Sequence, residues 1–257
     1  MKAIILAAGR GTRLNKYTED LPKGMLNFAG KTIIERQIDI LRKNNINDII
    51  IVKGYKEEKI KYPNINYYVN NNYATTNMVE SLMCAKEEFN DNIIIAYSDV
   101  IYSSQLLQKV INSNAEISVA VDNNWKEYWK LRYGTSEYDL ESLEIKNNHI
   151  IQLGKPLNSS IGLDYRYIGL LKFSNEGMKK VLDIYFSKKE NNSDWSQSGK
   201  DFKNGYMTDL LDELIQNNQT VSPVIHSGEW LEFDTNEDYE IYLKKIETRE
   251  IDLKDFD

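Results

Sequence analysis

The stretch LAAGRGTRL (residues 6–14) gathers the groups best suited to phosphate chemistry, directly after the short apolar run KAIIL (2–6). A glycine-rich turn at the end of a strand lets main-chain N–H groups converge on phosphate oxygens. Gly9 and Gly11 allow the main chain to come close, and the guanidinium forks of Arg10 and Arg13 match those oxygens. Lys16 and Lys23 follow, so the segment is locally basic, diluted only by Glu19 and Asp20. Two acids stand far downstream at the ends of strand-like runs. Asp99 closes NIIIAYSD (92–99), and Asp234 closes GEWLEFD (228–234).

Three phosphate-binding patterns compete for the glycine turn. The dinucleotide fingerprint G-x-G-x-x-G fails, because Leu14 stands where the third glycine should permit close helix packing. A Walker-A pattern nearly forms at GMLNFAGKT (24–32), but five residues separate Gly24 from Gly30 and no buried strand precedes them; that motif needs four. Gly30 therefore reads as a turn, and Lys31–Thr32 as the start of the next helix. The third pattern is a nucleoside-triphosphate loop with arginine and a downstream lysine.

LAAGRGTRL followed by LPKGML (21–26) resembles the nucleotidyltransferase family that makes nucleotide-activated sugars and alcohols. Its signature is an L-A-A-G-x-G-[ST]-R segment with a P-K further on, and both halves stand here in order. The likeness extends along the whole chain. It implies a Rossmann-like, GT-A-like α/β fold: a mixed, mostly parallel sheet with helices on both faces, plus a small acceptor-binding lobe. Carried onto the matching positions, Leu6, Ala7 and the main chain through Ala8, Gly9, Arg10, Gly11 and Thr12 would wrap the nucleotide and its phosphates. Arg13 and Lys23 would neutralise charge at the α-phosphate and the departing pyrophosphate. Asp99, beside Ser98, would be the first Mg²⁺ ligand and Asp234 the second, since Mg²⁺ takes only one or two protein carboxylates. Arg13, Lys23, Asp99 and Asp234 are thus the expected catalytic residues. A glycosyltransferase of similar architecture would show D-x-D at Asp99, where this chain has YSDV with Tyr97.

The segments YATTNMVESLMCAK (73–86), AYSDVIY (96–102), VDNNWKEYWKLRYG (121–134), IIQLGKP (150–156), RYIGLLKF (166–173) and GYMTDLL (205–211) narrow the likeness. They resemble the cytidylyltransferases of small phosphorylated compounds: phosphocholine, aminoethylphosphonate and, nearest, phosphoglutamine in capsular phosphoramidate synthesis. This implies a cytoplasmic, Mg²⁺-dependent enzyme that joins CMP from CTP to L-glutamine phosphate. Phosphocholine, phosphonate and sugar-1-phosphate acceptors remain alternatives, as does a catalytically silent nucleotide-binding domain. In the family, the helix start at Thr76 and Asn77 faces the base and ribose; Thr75, Thr76 and Asn77 are also good N-cap residues. On the acceptor side, Arg132, Lys155 and Arg166 can hold anions. Trp125, Trp129, Tyr167, Tyr206 and Trp230 can form aromatic walls, which would suit a quaternary ammonium. The acceptor phosphate is itself the nucleophile, so no general base is needed.

The elements that must position these groups alternate in the first half. Strands are expected at 2–6, 48–54, 65–70, 92–99 and 116–122, with helices at 32–44, 76–89 and 103–113 between them. Such alternation argues for a parallel sheet, with ligands bound beyond the carboxyl ends of the strands. Past 124 the pattern loosens into a hairpin at 142–155 turning at Asn147–Asn148, and a strand at 167–173 followed by a helix to about 187. A polar, mobile loop is expected at 188–205, then a helix at 206–217, strands at 220–225 and 228–234, and a last helix at 235–247. One nucleotidyltransferase domain is expected over 1–257. Its parts are a nucleotide-binding core (1–123), an acceptor-binding part (124–234) and a C-terminal helix and tail (235–257).

The composition bounds the rest. With 257 residues, 41% hydrophobic and 28% charged, the chain reads as an ordinary globular protein. A net charge of −7 invites neither nucleic acid nor an anionic membrane surface. The single cysteine, Cys84, rules out an internal disulfide, and two histidines are too few for a histidine-based metal site. No apolar run approaches membrane-spanning length. Association into a homo-oligomer is left open.

Overall fold

The computed structural model describes residues 1–18 and 20–256; Glu19, counted above in the basic segment, and Asp257 lie outside them. Seven strands build the central sheet. They are β1 (Lys2–Ala7), β2 (Asp48–Lys53), β3 (Asn66–Val69), β4 (Ile93–Tyr97), β6 (Ile117–Asp122), β9 (Arg166–Phe173) and β10 (Ser222–His226). Outside it, among the described residues, lie β5 (Val100–Tyr102), the pair β7 (Leu140–Lys146) and β8 (His149–Leu157), and the two-residue pair Asn27–Phe28 with Lys31–Thr32. β11 (Trp230–Glu232) pairs antiparallel with β5.

The order across the sheet is β10-β6-β9-β4-β1-β2-β3. Every neighbouring pair is parallel except those that β9 makes with β4 and β6, which are antiparallel. β1 sits between β2 and β4, and Ala3–Ala7 and Ile93–Ala96 are buried. That continuous burial explains why these strands read as unbroken apolar runs rather than alternating ones. Their carboxyl ends, at Ala7 and Tyr97, lie side by side, so the glycine turn and the Ser98–Asp99 pair emerge together.

Besides a single turn at Asn15–Thr18, the helices are α1 (Ile33–Lys43), α2 (Met78–Met83), α3 (Ser104–Ile111), α4 (Trp125–Tyr133), α5 (Asn175–Asn191), α6 (Met207–Gln216) and α7 (Asn236–Glu247). α1 opens on a capping box, Thr32 with Glu35, and buries Ile34, Ile38 and Leu41. α7 opens on a second box in which Thr235 is the cap, with Asp238 as its partner. α2 is shorter than the expected 76–89: the helix stops at Met83 and a short 3₁₀ turn, Lys86–Glu88, follows.

Two further expectations are corrected. The polar segment 188–205 is tied down rather than loose: Trp195 is fully buried and its Nε1 donates to the Phe202 carbonyl at 2.8 Å, while α5 runs on to Asn191. One buried indole outweighs the polarity of its neighbours, which is what the composition of the segment reports. The boundary at 123 also crosses the sheet, because β9 and β10 come from the second half and β9 lies between β4 and β6. The hairpin turn is where expected, with Asn147 and Asn148 both at positive φ, as a tight two-residue turn requires.

Candidate active site

The carboxyl end of β1 leads into the turn Ala8–Gly11, which closes on Lys23. Gly11 has φ +68°, and a Cβ there would lie 2.7 Å from the Lys23 Cβ. The turn therefore needs glycine both for its backbone and for the lysine stem laid across it. The short helical turn that starts at Lys23 delivers the ammonium beneath β4. There Lys23 Nζ donates to Asp99 Oδ2 at 2.7 Å and also to Asp234 Oδ1. Arg13 Nη2 approaches the other Asp234 oxygen at 3.0 Å.

The two acids, 135 residues apart in sequence, meet because β5 and β11 zip together: the Phe233 N–H donates to the Asp99 carbonyl at 2.9 Å. The Asp234 main chain is fixed in turn by Asp238, whose carboxylate accepts from the Asp234 N–H. The charges reinforce one another. Burial pulls the Lys23 ammonium down, but Asp99 and Asp234 outweigh it and hold it above the ordinary lysine value. Burial alone would raise Asp234; Lys23 and Arg13 hold it below the usual carboxylate range.

Two clefts meet at this centre. One, of about 340 Å³, lies under the glycine turn and is walled by Leu6, Ala8, Gly9, Thr76, Asn77 and Ser98. The other, of about 260 Å³, is walled by Glu141, Arg166, Tyr167, Tyr206, Glu232 and Asp234. Arg13, Met78, Tyr97 and Asp99 border both. A phosphate reaching in from each side would thus meet the same cation, Arg13.

The metal expectation can be tested on the donor set. Asp99 Oδ1 is buried without a hydrogen-bond partner, an oxygen left open in a site where every other carboxylate oxygen of the pair faces a cation. Among the described residues no group of three or more potential metal ligands gathers. Two carboxylates with one open oxygen suit Mg²⁺, which completes its shell with phosphate and water. The residues present fit that ion.

Other expected residues are placed as follows. Leu6 and Ala8 are buried at the cleft wall, and Ala7 is buried at the end of β1. Arg10 and Thr12 are exposed, with Arg10 resting over the Tyr55 ring. Asn77 caps α2 and Thr76 donates to the Asn72 carbonyl, so both have structural partners as well as a face on the cleft. Arg166 and Tyr206 line the second cavity.

Five acceptor-side expectations are not met at the two clefts. The Arg132 side chain is wholly buried, with Nε and Nη2 both bonded to Asp238 at 2.8 Å and Nη1 to Glu232. Buried in this way it presents no surface to a ligand; it holds the acids behind Asp234. Trp230 is 3% exposed and donates to Asp122, so it belongs to the core, as do Trp125 and Trp129. Lys155 is exposed on β8 and lines neither cleft.

Residues that sequence reasoning passed over are Tyr97, Asp139, Glu141, Thr208 and Glu232, all lining the second cavity. Glu232 carried a usable signal, since it stands two positions before Asp234 and alternate residues of an extended segment share a side. Tyr97 stood likewise two before Asp99. Asp139 and Glu141 had none, because their approach depends on how the β7–β8 hairpin folds back.

An α/β sheet with a glycine turn, a lysine and two carboxylates at the carboxyl ends of its central strands defines a nucleotide-binding phosphotransfer centre. The chain belongs to the MobA-like NTP transferase domain family, whose model matches residues 3–156, and it is a nucleotidyltransferase. It is 36% identical over 256 residues to the CTP:phosphoglutamine cytidylyltransferase of Campylobacter jejuni, covering 95% of this chain and 100% of that one. It is also 36% identical over 147 residues to the choline-phosphate cytidylyltransferase of Streptococcus pneumoniae, covering 56% of this chain and 63% of the relative. Among solved structures, CTP:phosphocholine cytidylyltransferase from Streptococcus pneumoniae superposes with a TM-score of 0.70 at 24% identity, over 95% of this chain and 98% of that one; this likeness concerns the fold. No helix among the described residues is long and apolar enough to cross a membrane.

Proposed function

We propose that the chain is a Mg²⁺-dependent cytidylyltransferase that transfers CMP from CTP to the phosphate of a small acceptor, L-glutamine phosphate being the leading candidate. The observation that carries this reading is the meeting of two clefts on one charged centre, with Arg13 and Asp99 bordering both. The larger cleft suits the nucleotide and the smaller one the acceptor. The relatives' names supply the base and the acceptor class.

In this reading an oxygen of the acceptor phosphate attacks the α-phosphorus of CTP in line. The new P–O bond forms as the bond to the bridging oxygen of pyrophosphate breaks, and pyrophosphate leaves with that electron pair. The acceptor phosphate is already ionised at neutral pH, so no proton need be taken from it. Main-chain N–H groups of the glycine turn align the triphosphate. Arg13 and Lys23 offset the charge that builds on the α-phosphate and on the leaving group. When bound, Mg²⁺ would be held by Asp99 and Asp234 and would supply further positive charge to the phosphate oxygens.

The test is a panel. The chain is mixed with Mg²⁺ and each of CTP, UTP, dTTP and ATP, against L-glutamine phosphate, phosphocholine, a phosphonate and sugar 1-phosphates, and pyrophosphate release is followed. The expected result is release with CTP and an amine- or amino-acid-bearing phosphate. Release only with UTP or dTTP and a sugar phosphate would replace this reading with sugar activation.

A further inference from the structure

We infer that Glu141 is the group that recognises a primary ammonium on the acceptor. The inference rests on the reading of the smaller cleft as the acceptor site.

The acids around that cavity are mostly spoken for. Asp99 and Asp234 hold Lys23, Asp234 also holds Arg13, and Glu232 accepts from Arg132. Asp139 stands 3.6 Å from Arg166, whose Nη1 donates to the Asp139 carbonyl at 2.5 Å. Glu141 is different. Among the described residues its carboxylate has no hydrogen bond and no ion pair, yet it is half-buried and lines the cavity. Burial pushes its carboxyl up, and Arg166 offsets only part of that cost. A carboxylate held so in a pocket is a free-energy penalty that a cationic ligand removes.

The walls indicate which cation. Tyr167 donates its hydroxyl to the Tyr97 hydroxyl at 2.8 Å, and the rings meet edge to face at 5.9 Å. Gly169, at φ +77°, leaves the room that the Tyr97 ring occupies: a Cβ there would lie 2.5 Å from Tyr97 Cδ2. Glu141 and Asp99 line the same cavity of about 260 Å³ as this tyrosine pair, which is room for a small molecule. A primary ammonium brings three N–H donors to a carboxylate. A quaternary ammonium brings none and depends on open aromatic faces instead, whereas here the two inner tyrosines turn edge to face and bond to each other. A sugar would offer Glu141 neutral hydroxyl donors but no opposite charge. The acceptor is accordingly a molecule with a phosphate at the Arg13 end and a primary ammonium at the Glu141 end, as an amino-acid phosphate has.

The experiment compares L-glutamine phosphate with its N-acetyl derivative, on the wild-type chain and on Glu141→Gln. Two readouts are taken: KM for the acceptor with CTP, and direct acceptor binding by titration calorimetry. In the wild type, acetylation should weaken the acceptor by about 10- to 100-fold, as loss of a hydrogen bond to a charged group does. Glu141→Gln should weaken the amino form by a similar factor and leave the N-acetyl form and the KM for CTP unchanged. Equal effects on both acceptors, or none, would overturn the ammonium site, as would failure of the wild-type chain to bind the amino form. Absence of turnover with the binding difference intact would defeat the cytidylyltransferase reading and leave the ammonium site standing.

Discussion

Replacing Lys23 by methionine removes the one ammonium that two carboxylates share. Its side chain is 11% exposed, and those of Asp99 and Asp234 are 21% and 6% exposed, so solvent screens the group weakly. Two oxygens bonded to one ammonium lie within roughly 5 Å of each other, and at an effective dielectric of about 20 their repulsion is about 3 kcal/mol. Arg13 remains beside Asp234 and offsets part of this, but its side chain is 58% exposed and acts mostly through water. The variant should therefore lose about 2–4 kcal/mol of stability at neutral pH, the range seen when a buried pair is broken on one side.

The loss should also depend on pH in a defined direction. Asp234 has its carboxyl held below the ordinary 3.8, so the stability it contributes is present above that value and disappears as pH falls through the folded-state value. Lys23 is raised above 10.5, so its contribution is present below that value and is lost only as pH rises through the higher folded-state value. Urea unfolding of both chains over this range, with and without Mg²⁺, measures the effect. The gap between them should be widest at neutral pH, narrow below pH 3.8 as Asp234 protonates, and close partly in Mg²⁺ as the cation replaces the ammonium. A gap that is unchanged by both acid and Mg²⁺ would refute the idea that Lys23 stabilises a charge pair also able to take a metal.

Other consequences are as specific. Arg132→Met should cost about 3–5 kcal/mol in urea unfolding by leaving Asp238 buried without its partner. The same variant should also weaken acceptor binding in calorimetry, because it leaves Glu232, a wall of the smaller cleft, without its partner. Gly11→Ala must adopt φ +68° and meet the Lys23 stem, so it should cost about 1–3 kcal/mol and weaken CTP binding, measurable by denaturation and titration of one sample. Asp99→Asn should lower kcat by about 1,000-fold or more in the pyrophosphate assay while thermal unfolding stays cooperative.

How far the site could be read from sequence follows from where each residue gets its position. Gly11, Arg13 and Lys23 lie in one short stretch whose order encodes the turn, and Asp99 ends a strand whose apolar run is unmistakable; the structure brings Asp234 to the same point. Arg132 misled because a basic residue on an aromatic helix looks like an anion holder until its partners, Glu232 and Asp238, are known to be a hundred residues away. Glu141 could not be found, because its place depends on the β7–β8 hairpin returning over β9. The sheet was legible wherever strands are buried on both faces. It was less so at α2, where Asn77 and the 3₁₀ turn after Met83 shorten a helix that propensity alone would continue.

The central claim is that one nucleotide and one acceptor phosphate meet at Lys23, Asp99 and Asp234. A crystal structure of the chain with CTP and Mg²⁺ tests it most directly. The account predicts the α-phosphate between Arg13 and Lys23, the ion on Asp99 and Asp234, and cytosine beside Thr76 and Asn77. A nucleotide bound elsewhere, or an ion that does not touch Asp99, would contradict it.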